Sequence, residues 1–346
     1  MNEKRLLIKL GSQCNWQCPH CHNEEVNYPY NEKLIDFIKK NNYKRITFSG
    51  GEPLLYWKTI VKICEALGHD YQYRIITNGS LVDRAKVAFM AKYKISLIVS
   101  FDGSDGQRTE NPPPNWRMIS ALKDVSFSTC VYQKNMNLPK IQEELINLCK
   151  KYRIRPKLSL QPEFIHQTSV VHQDDTTLET AKEYCRQIAK IIEPEIVSLV
   201  EVKEDNARFA RMMQYHTLRK ALAKWFIPKD TTKGIRCFNE NINCVSLDGR
   251  FLFCPYNDKR IVGDIEKGID WDKIQSMRPE KCLKCDIFNI CRCSCLANVT
   301  ENECYIAKTM NRWLNKVTEK YQCKNLLIDL WRRVNDYSFS PTPISK

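Results

Sequence analysis

Short apolar runs of β type alternate with stretches of helical period through the first 165 residues, and this rhythm constrains the fold more than any other feature of the chain. The runs are Arg5–Gly11, Arg45–Ser49, Tyr73–Thr77, Ile95–Phe101, Val125–Tyr132 and Lys157–Gln161. Between them lie the helical patterns Glu32–Asn41, Trp57–Leu67, Val82–Tyr93 and Leu138–Tyr152. Strand starts roughly 25–40 residues apart leave room for one crossover helix each, which predicts right-handed parallel connections. The expectation is an α/β fold built as a partial (β/α)6, TIM-like barrel.

After about residue 165 the pattern changes. Long helical stretches, Leu178–Ile192 and Asn206–Phe226, lead into a cysteine-dense, turn-rich region from Cys237 to Cys304, and Tyr305–Val334 reads as one or two amphipathic helices. This predicts a barrel with a trailing helix over 1–200, a helical linker over 201–236 and a cysteine-rich module with C-terminal helices over 237–346. Pro112–Pro114 marks a stiff loop and Asn335–Lys346 a poorly ordered end.

The chain has 346 residues and no run near the roughly 18 apolar residues of a membrane span; its start shows no apolar signal core. A cytoplasmic location and no membrane partner are therefore expected. Seventeen cysteines are then poorly explained as disulfides, because the cytosol keeps thiols reduced and the count is odd. Metal is the better reading. The formal charge of +14 fits an anionic partner or a lysine-rich solvated surface; no basic stripe interleaved with aromatics points to nucleic acid.

Directly after the first run comes Cys14-Asn-Trp-Gln-Cys18-Pro-His-Cys21, in a loop at the C-terminal end of a barrel strand, the face on which barrel enzymes place their chemistry. Three close thiols suit an iron-sulfur cluster with one iron left open, whereas structural zinc wants four closed ligands; His20 or His22 would have to complete a zinc site. The second run ends in Gly50-Gly51-Glu52-Pro53, where two glycines allow close approach of backbone to a ligand and Glu52 can pair with an ammonium group. The third ends in Thr77-Asn78-Gly79 and the fourth in Ser100-Phe101-Asp102-Gly103, delivering polar groups to the same rim.

Cys14, Cys18 and Cys21 with Gly50, Gly51, Glu52 and Pro53 resemble the radical S-adenosylmethionine (SAM) superfamily over roughly residues 1–165. The resemblance implies that the three cysteines hold a [4Fe-4S] cluster whose open iron is chelated by SAM, and that one electron cleaves SAM to a 5'-deoxyadenosyl radical. It places Glu52 at the SAM amino group, Asn78 and Ser100 near the ribose or carboxylate, and Leu160 or Gln161 at the adenine. His20 departs from the aromatic the family usually carries before its last cysteine.

Further along, Cys237 and Cys254 flank Gly249, then Cys282-x2-Cys285-x5-Cys291-x3-Cys295 and Cys304 follow. On spacing alone, zinc and iron-sulfur ligation both remain open. The whole pattern resembles the SPASM extension of radical SAM enzymes. That implies two auxiliary [4Fe-4S] clusters, one held by Cys237, Cys244, Cys254 and Cys295 and the other by Cys282, Cys285, Cys291 and Cys304, with Cys323 a rival to Cys304. Cys64, Cys130, Cys149 and Cys185 read as inert thiols.

SPASM-type relatives act mainly on ribosomally made peptides and proteins. The resemblance therefore implies an oxidoreductase that modifies a peptide or small protein, foremost by oxidative side-chain cross-linking through carbon-carbon or thioether bonds, with a flavodoxin or ferredoxin as electron donor. The triplet starts at residue 14, so recognition of an acidic leader falls to a separate protein or to the core itself. Two neighbouring activities stay open. In a sulfatase-type maturase Asp258 would be the base, with Asp248 and Asp264 as rivals, although the Asp102–Arg108 stretch lacks the His-Asp element of those relatives. In a peptide epimerase Cys293 or Cys323 would return the hydrogen. A non-enzymatic metal protein binding nucleic acid would leave the Gly50–Pro53 turn unexplained.

Overall fold

The computed structural model describes residues 4–18, 21, 26–106, 111–131, 135–154, 161–164, 177–228, 234, 238–254, 257–291 and 301–337. The first half is the expected alternation. Strands β1 (Lys4–Lys9), β2 (Tyr43–Ser49), β3 (Gln72–Thr77), β4 (Ser96–Ser100), β5 (Val125–Val131) and β6 (Gln161–Phe164) are separated by helices α1 (Leu34–Lys40), α2 (Trp57–Leu67), α3 (Arg84–Lys92), α4 (Trp116–Ile119) and α5 (Leu138–Tyr152). A 3-10 turn, Pro53–Tyr56, precedes α2. The sixth strand starts where the sequence pattern ends it; most of the predicted run, 157–160, lies outside the described residues.

All five neighbouring pairs among β1–β6 are parallel, and the spatial order is the sequence order. Right-handed crossovers between strands placed in sequence put every connecting helix on one face. The residues fit this. Leu6, Ile8, Ile46, Phe48, Tyr73, Ile75, Leu97 and Val99 are buried in one core with Leu34, Ile38, Ile60 and Ile63 of the helices. The alternate positions, on the other face, include Leu7, Lys9, Thr47, Ser49, Arg74, Ile76, Ser96, Ile98, Ser126 and Ser128, polar but for Leu7, Ile76 and Ile98.

The sheet does not stop at β1. Strand β7 (Ile242–Ser246) pairs with β1 in parallel, and β8 (Arg250–Cys254), β9 (Asn257–Asp264) and β10 (Gly268–Ile269) extend it antiparallel, giving the order β10-β9-β8-β7-β1-β2-β3-β4-β5-β6. The cysteine-rich segment is thus stitched onto the edge of the N-terminal sheet. Asp248-Gly249 turns the β7–β8 hairpin with Gly249 at φ +90°, a conformation open to glycine at little cost.

Helix α6 (Leu178–Glu201) runs nine residues beyond the predicted end, straight through Pro194, because it buries an apolar face including Ile188, Ile191, Ile192, Ile196 and Leu199. The single helix expected over 206–226 is two, α7 (Asp205–Gln214) and α8 (His216–Trp225), broken at Tyr215 with ψ 71°. Short helices α9 (Trp271–Ser276), α10 (Glu280–Leu283) and α11 (Phe288–Cys291) carry the cysteine-dense region. Helices α12 (Glu301–Lys320) and α13 (Lys324–Tyr337) follow and pack against α6, α7 and α8. Residues 338–346 of the expected loose tail lie outside the described residues. Among the described residues no helix is long and apolar enough to cross a membrane.

Glu195 on α6 accepts a hydrogen bond from the Leu218 backbone N–H of α8, and burial pushes its carboxyl up to about 8 despite Arg219 nearby. The folded chain therefore keeps a proton that the unfolded chain releases above the ordinary carboxylate range. Stability contributed this way is full below about pH 4.5 and is lost as pH rises through about 8, by at most about 1.4 kcal/mol per pH unit. Denaturant melts between pH 5 and 8 should show this slope, and Glu195→Gln should flatten it; an unchanged slope in the variant would remove Glu195 as its source.

Candidate functional site

Three loops meet at the C-terminal ends of β1, β2 and β3. The β1 loop, which carries the cysteines, lies along the β2 loop through two backbone bonds, Gly51 N–H to Gly11 O at 2.9 Å and Glu52 N–H to Gln13 O at 2.8 Å. This explains the paired glycines. A Cβ on Gly50 would sit 2.3 Å from Gly11 O, and one on Gly51 would sit 2.2 Å from Gln13 O and 2.4 Å from Ser12 O. The close approach that the sequence assigns to a ligand is filled on that side by the cysteine loop's own backbone.

Further bonds fix the loop. Tyr56 Oη accepts from the Gln13 N–H at 3.1 Å, and Asn111 Oδ1 accepts from the Gln17 N–H at 2.9 Å. Asn78 Nδ2 donates to Asn15 Oδ1 at 2.9 Å, Asn15 Nδ2 donates to Ser80 Oγ at 2.9 Å, and Ser80 donates through N and Oγ to Asn78 Oδ1 at 2.9 and 2.7 Å. Asn78, expected near the ribose or carboxylate of SAM, thus ties Asn15 of the cysteine loop to β3. Asn15, Tyr56, Ser80 and Asn111 are site residues that the sequence reading missed. Asn15 and Ser80 had a readable signal, since each is a polar side chain adjoining a motif already singled out.

Glu52 is fully buried and its carboxylate takes three donors from the chain: Leu54 N–H at 2.9 Å and Thr77 Oγ1 at 2.7 Å on Oε1, and Asn78 N–H at 2.8 Å on Oε2. Burial raises its pKa and these three bonds oppose the rise. A carboxylate offers about four acceptor positions, so one remains for an ammonium group. The side chain's work within the chain is to join the ends of β2 and β3. Pro53 starts the 3-10 turn, where a missing N–H costs nothing.

Continuing the β3–β4 register from Thr77↔Val99 by one step aligns Asn78 with Ser100, and Ser100↔Ser128 and Ser128↔Gln161 extend the row. Three of the residues expected around SAM therefore share one line across the strand ends. Gln161 is placed by its backbone, and Leu160 lies outside the described residues.

Of the cysteine triplet, Cys14 is exposed while Cys18 and Cys21 are half-buried, and the Cys21 N–H donates to Cys18 O at 2.9 Å. Cys14 Sγ accepts from the Trp16 N–H at 3.4 Å. Desolvation, then Glu52, then Cys21 raise the Cys14 thiol pKa, which places those groups around it. Among the described residues no three His, Cys, Asp or Glu side chains converge on a point that would hold a single metal ion. Ligands of one zinc must converge in that way, whereas the thiolates of an iron-sulfur cubane bind different irons and stand apart. An all-thiol triplet fits the cluster, and His20 and His22, which would have to complete a zinc site, lie outside the described residues.

A second thiol group forms around α10–α12. Cys304, in the first turn of α12, has Lys281, Cys282, Cys285 and Lys308 as electrostatic neighbours, and burial raises its pKa. Cys285 follows Cys282 in a tight turn, with its N–H on Cys282 O at 3.2 Å, and Cys291 closes α11. Cys323, its rival, is buried in the junction of α12 and α13, where burial alone raises its pKa. On the hairpin, the register Val245↔Phe251 sets Cys244 opposite Leu252, with Cys254 one step further on the same face, a diagonal pair about 7–8 Å apart. Cys237, Cys293 and Cys295 lie outside the described residues, as do His20, His22 and Arg108.

Asp258 lies in β9, one residue beyond the Cys254↔Asn257 pair. Its rivals are engaged: Asp248 pairs with Arg250 at 2.6 Å, and Asp264 accepts from the Glu266 and Lys267 N–H groups, which hold its carboxyl below the usual range. Cys64 and Cys149 are buried and pushed up to about 12 and about 11, as inert thiols should be. Cys130 is half-buried at the end of β5, on the polar face with Ser128.

The profile of the Radical SAM superfamily matches residues 8–155. A curated relative, the radical SAM cyclopropyl synthase TigE of Paramaledivibacter caminithermalis, is 27% identical over 127 residues, covering 29% of this chain and 27% of TigE. Curated relatives are matched over 24% to 56% of their own lengths. Among solved structures, anSMEcpe with bound AdoMet superposes over 98% of this chain and 100% of its own, with TM-score 0.64 and 16% identity. SuiB of Streptococcus suis bound to precursor peptide SuiA covers 85% of this chain and 72% of its own, with TM-score 0.56 and 17% identity. At these identities the likeness is one of fold.

Proposed function

We propose that the chain, whose residues 8–155 match the Radical SAM superfamily, is a radical SAM/SPASM oxidoreductase that modifies a ribosomally synthesised peptide, foremost by oxidative side-chain cross-linking. The observation that carries the radical chemistry is the all-thiol loop of Cys14, Cys18 and Cys21, clamped by the ends of β2 and β3. When bound there, a [4Fe-4S] cluster with SAM supplies a 5'-deoxyadenosyl radical that abstracts an unactivated hydrogen. The chain's own part is to present three thiolates on a loop held in place by Asn15, Tyr56, Asn78 and Ser80, and to line the rim with Ser100 and Gln161 beside Asn78. Ligand thiols must lose their protons to bind iron, so loading releases protons.

A peptide substrate is supported by the likeness in fold, over 85% or more of the chain, to proteins solved with AdoMet and with peptides. Two auxiliary clusters, on Cys237, Cys244, Cys254 and Cys295 and on Cys282, Cys285, Cys291 and Cys304, would take up the electron of the substrate radical. Cys304 beside Cys282 and Cys285, and Cys244 diagonal to Cys254, support this division. An electron donor of the flavodoxin or ferredoxin kind and a separate leader-recognition protein complete the proposal.

The experiment is an anaerobic turnover with SAM, reductant and candidate peptides encoded beside the gene. The expected result is 5'-deoxyadenosine with a peptide lighter by two hydrogens and a new internal bond in fragmentation. A peptide of unchanged mass that takes up one deuterium from D2O would replace cross-linking with epimerisation. Loss of two hydrogens with a new side-chain carbonyl and no bridge would favour the sulfatase-type maturase with Asp258 as base. No 5'-deoxyadenosine under any condition would overturn the class.

A further inference from the structure

The cysteine loop buries two polar atoms that have no hydrogen-bond partner among the described residues, the indole Nε1 of Trp16 and the Oγ of Ser12. Trp16 is 7% exposed, yet it is not part of the hydrophobic core that holds nearly every other buried apolar side chain. It sits in the cysteine loop, between Cys14 and Cys18 in sequence. A buried donor without an acceptor is destabilising, and native folds keep few of them. Ser12 can turn its hydroxyl, or use it as an acceptor; the indole N–H is a donor only and needs an acceptor where it stands. The acceptors expected in that loop are sulfurs, and the backbone N–H of the same residue already donates to Cys14 Sγ at 3.4 Å.

We propose that the Trp16 indole N–H donates a hydrogen bond to a sulfur of the cluster held by Cys14, Cys18 and Cys21, and so sets that cluster's reduction potential. The proposal rests on the radical SAM reading of the triplet. A one-electron reduction adds negative charge to the cluster, and a hydrogen bond to sulfur stabilises the reduced form more than the oxidised one. Trp16 thereby raises the potential and eases electron delivery from the donor protein. Trp16 is a positioning and tuning residue, since it moves no proton or electron itself.

The test is Trp16→Phe, which keeps most of the ring and removes the N–H, measured on the reconstituted full-length enzyme. The potential is read by redox titration of the EPR signal that shifts when SAM is added, because SAM perturbs only a cluster with an open iron. The expected result is unchanged iron and a potential shifted to more negative values in the absence of SAM. An unchanged potential with the SAM-responsive signal present would overturn the proposal while leaving the radical SAM reading intact, including when SAM affinity alone changes. Lack of any SAM-responsive signal in the parent enzyme would remove both.

Loss of iron from the variant does not close the question, because the parent enzyme can be read directly. With 15N-indole labelling of its seven tryptophans, pulsed EPR of the reduced, SAM-responsive cluster is expected to show hyperfine coupling to one indole nitrogen. Absence of that coupling would sink the proposal.

Discussion

Replacing Cys14, Cys18 and Cys21 together by Ala is expected to reduce 5'-deoxyadenosine production to the level of an enzyme-free control. On the proposed three-cluster reading, bound iron should fall from about 12 to about 8 per chain, since only the N-terminal [4Fe-4S] cluster would be removed. The fold should survive, because the loop is anchored through groups that the substitutions leave alone: Gly51 and Glu52 N–H on Gly11 O and Gln13 O, and Asn15 on Asn78 and Ser80. The C-terminal thiols should keep their iron, since Cys282, Cys285 and Cys304 gather on α10–α12. Iron, labile sulfide and far-UV circular dichroism on one anaerobic preparation check all three statements. Surviving SAM cleavage would remove the triplet from the chemistry. Iron near zero would show that the C-terminal module holds none of its own, and oxidative cross-linking would lose its electron acceptor. Zinc in place of about eight iron would make that module structural.

The first five strands were legible because each is a short β-branched or aromatic run bounded by Gly, Asn or polar residues, with a helical pattern beside it. The rim was legible for the same reason: Gly50–Glu52, Asn78 and Ser100 end their strands. What Glu52 and Asn78 touch was not. A Glu after two glycines reads as a ligand for a cation, and nothing local reveals that Thr77 and Asn78, 25 and 26 residues on, supply its donors. The β7–β8 hairpin had a local signature, Asp248-Gly249 between β-type runs, which cysteine spacing overshadowed. Its parallel pairing with β1 joins residues more than 230 apart and has no local signature. The break at Tyr215 was hidden because apolar spacing continues across it, and α6 overrides Pro194 because burial of Ile196 and Leu199 outweighs one lost helical bond.

Glu52 decides how far the site is built by the chain and how far by its ligand. Glu52→Ala strips the acceptor from Leu54 N–H, Thr77 Oγ1 and Asn78 N–H inside a fully buried pocket, at a cost of about 3–5 kcal/mol. Glu52→Gln is milder, at about 1–3 kcal/mol: its carbonyl oxygen can still serve Leu54 and Thr77, but its amide N–H2 meets the Asn78 N–H donor to donor. Neither substitution removes a thiol, so both should retain iron. Both should weaken SAM binding, because Asn78 is held by Glu52 and in turn holds Asn15 of the cysteine loop. Thr77→Val separates positioning from contact. It removes one donor to Oε1 and keeps the carboxylate, so if Glu52 acts by joining the ends of β2 and β3, SAM affinity should fall in step with melting temperature across Thr77→Val, Glu52→Gln and Glu52→Ala. If Thr77→Val lowers the melting temperature with SAM affinity intact while Glu52→Gln loses it, the remaining acceptor position on Glu52 meets the SAM ammonium directly. Loss of iron in Glu52→Gln would contradict both accounts, for it would mean that the clamp on the β1 loop, and not the three thiols alone, keeps the cluster in place.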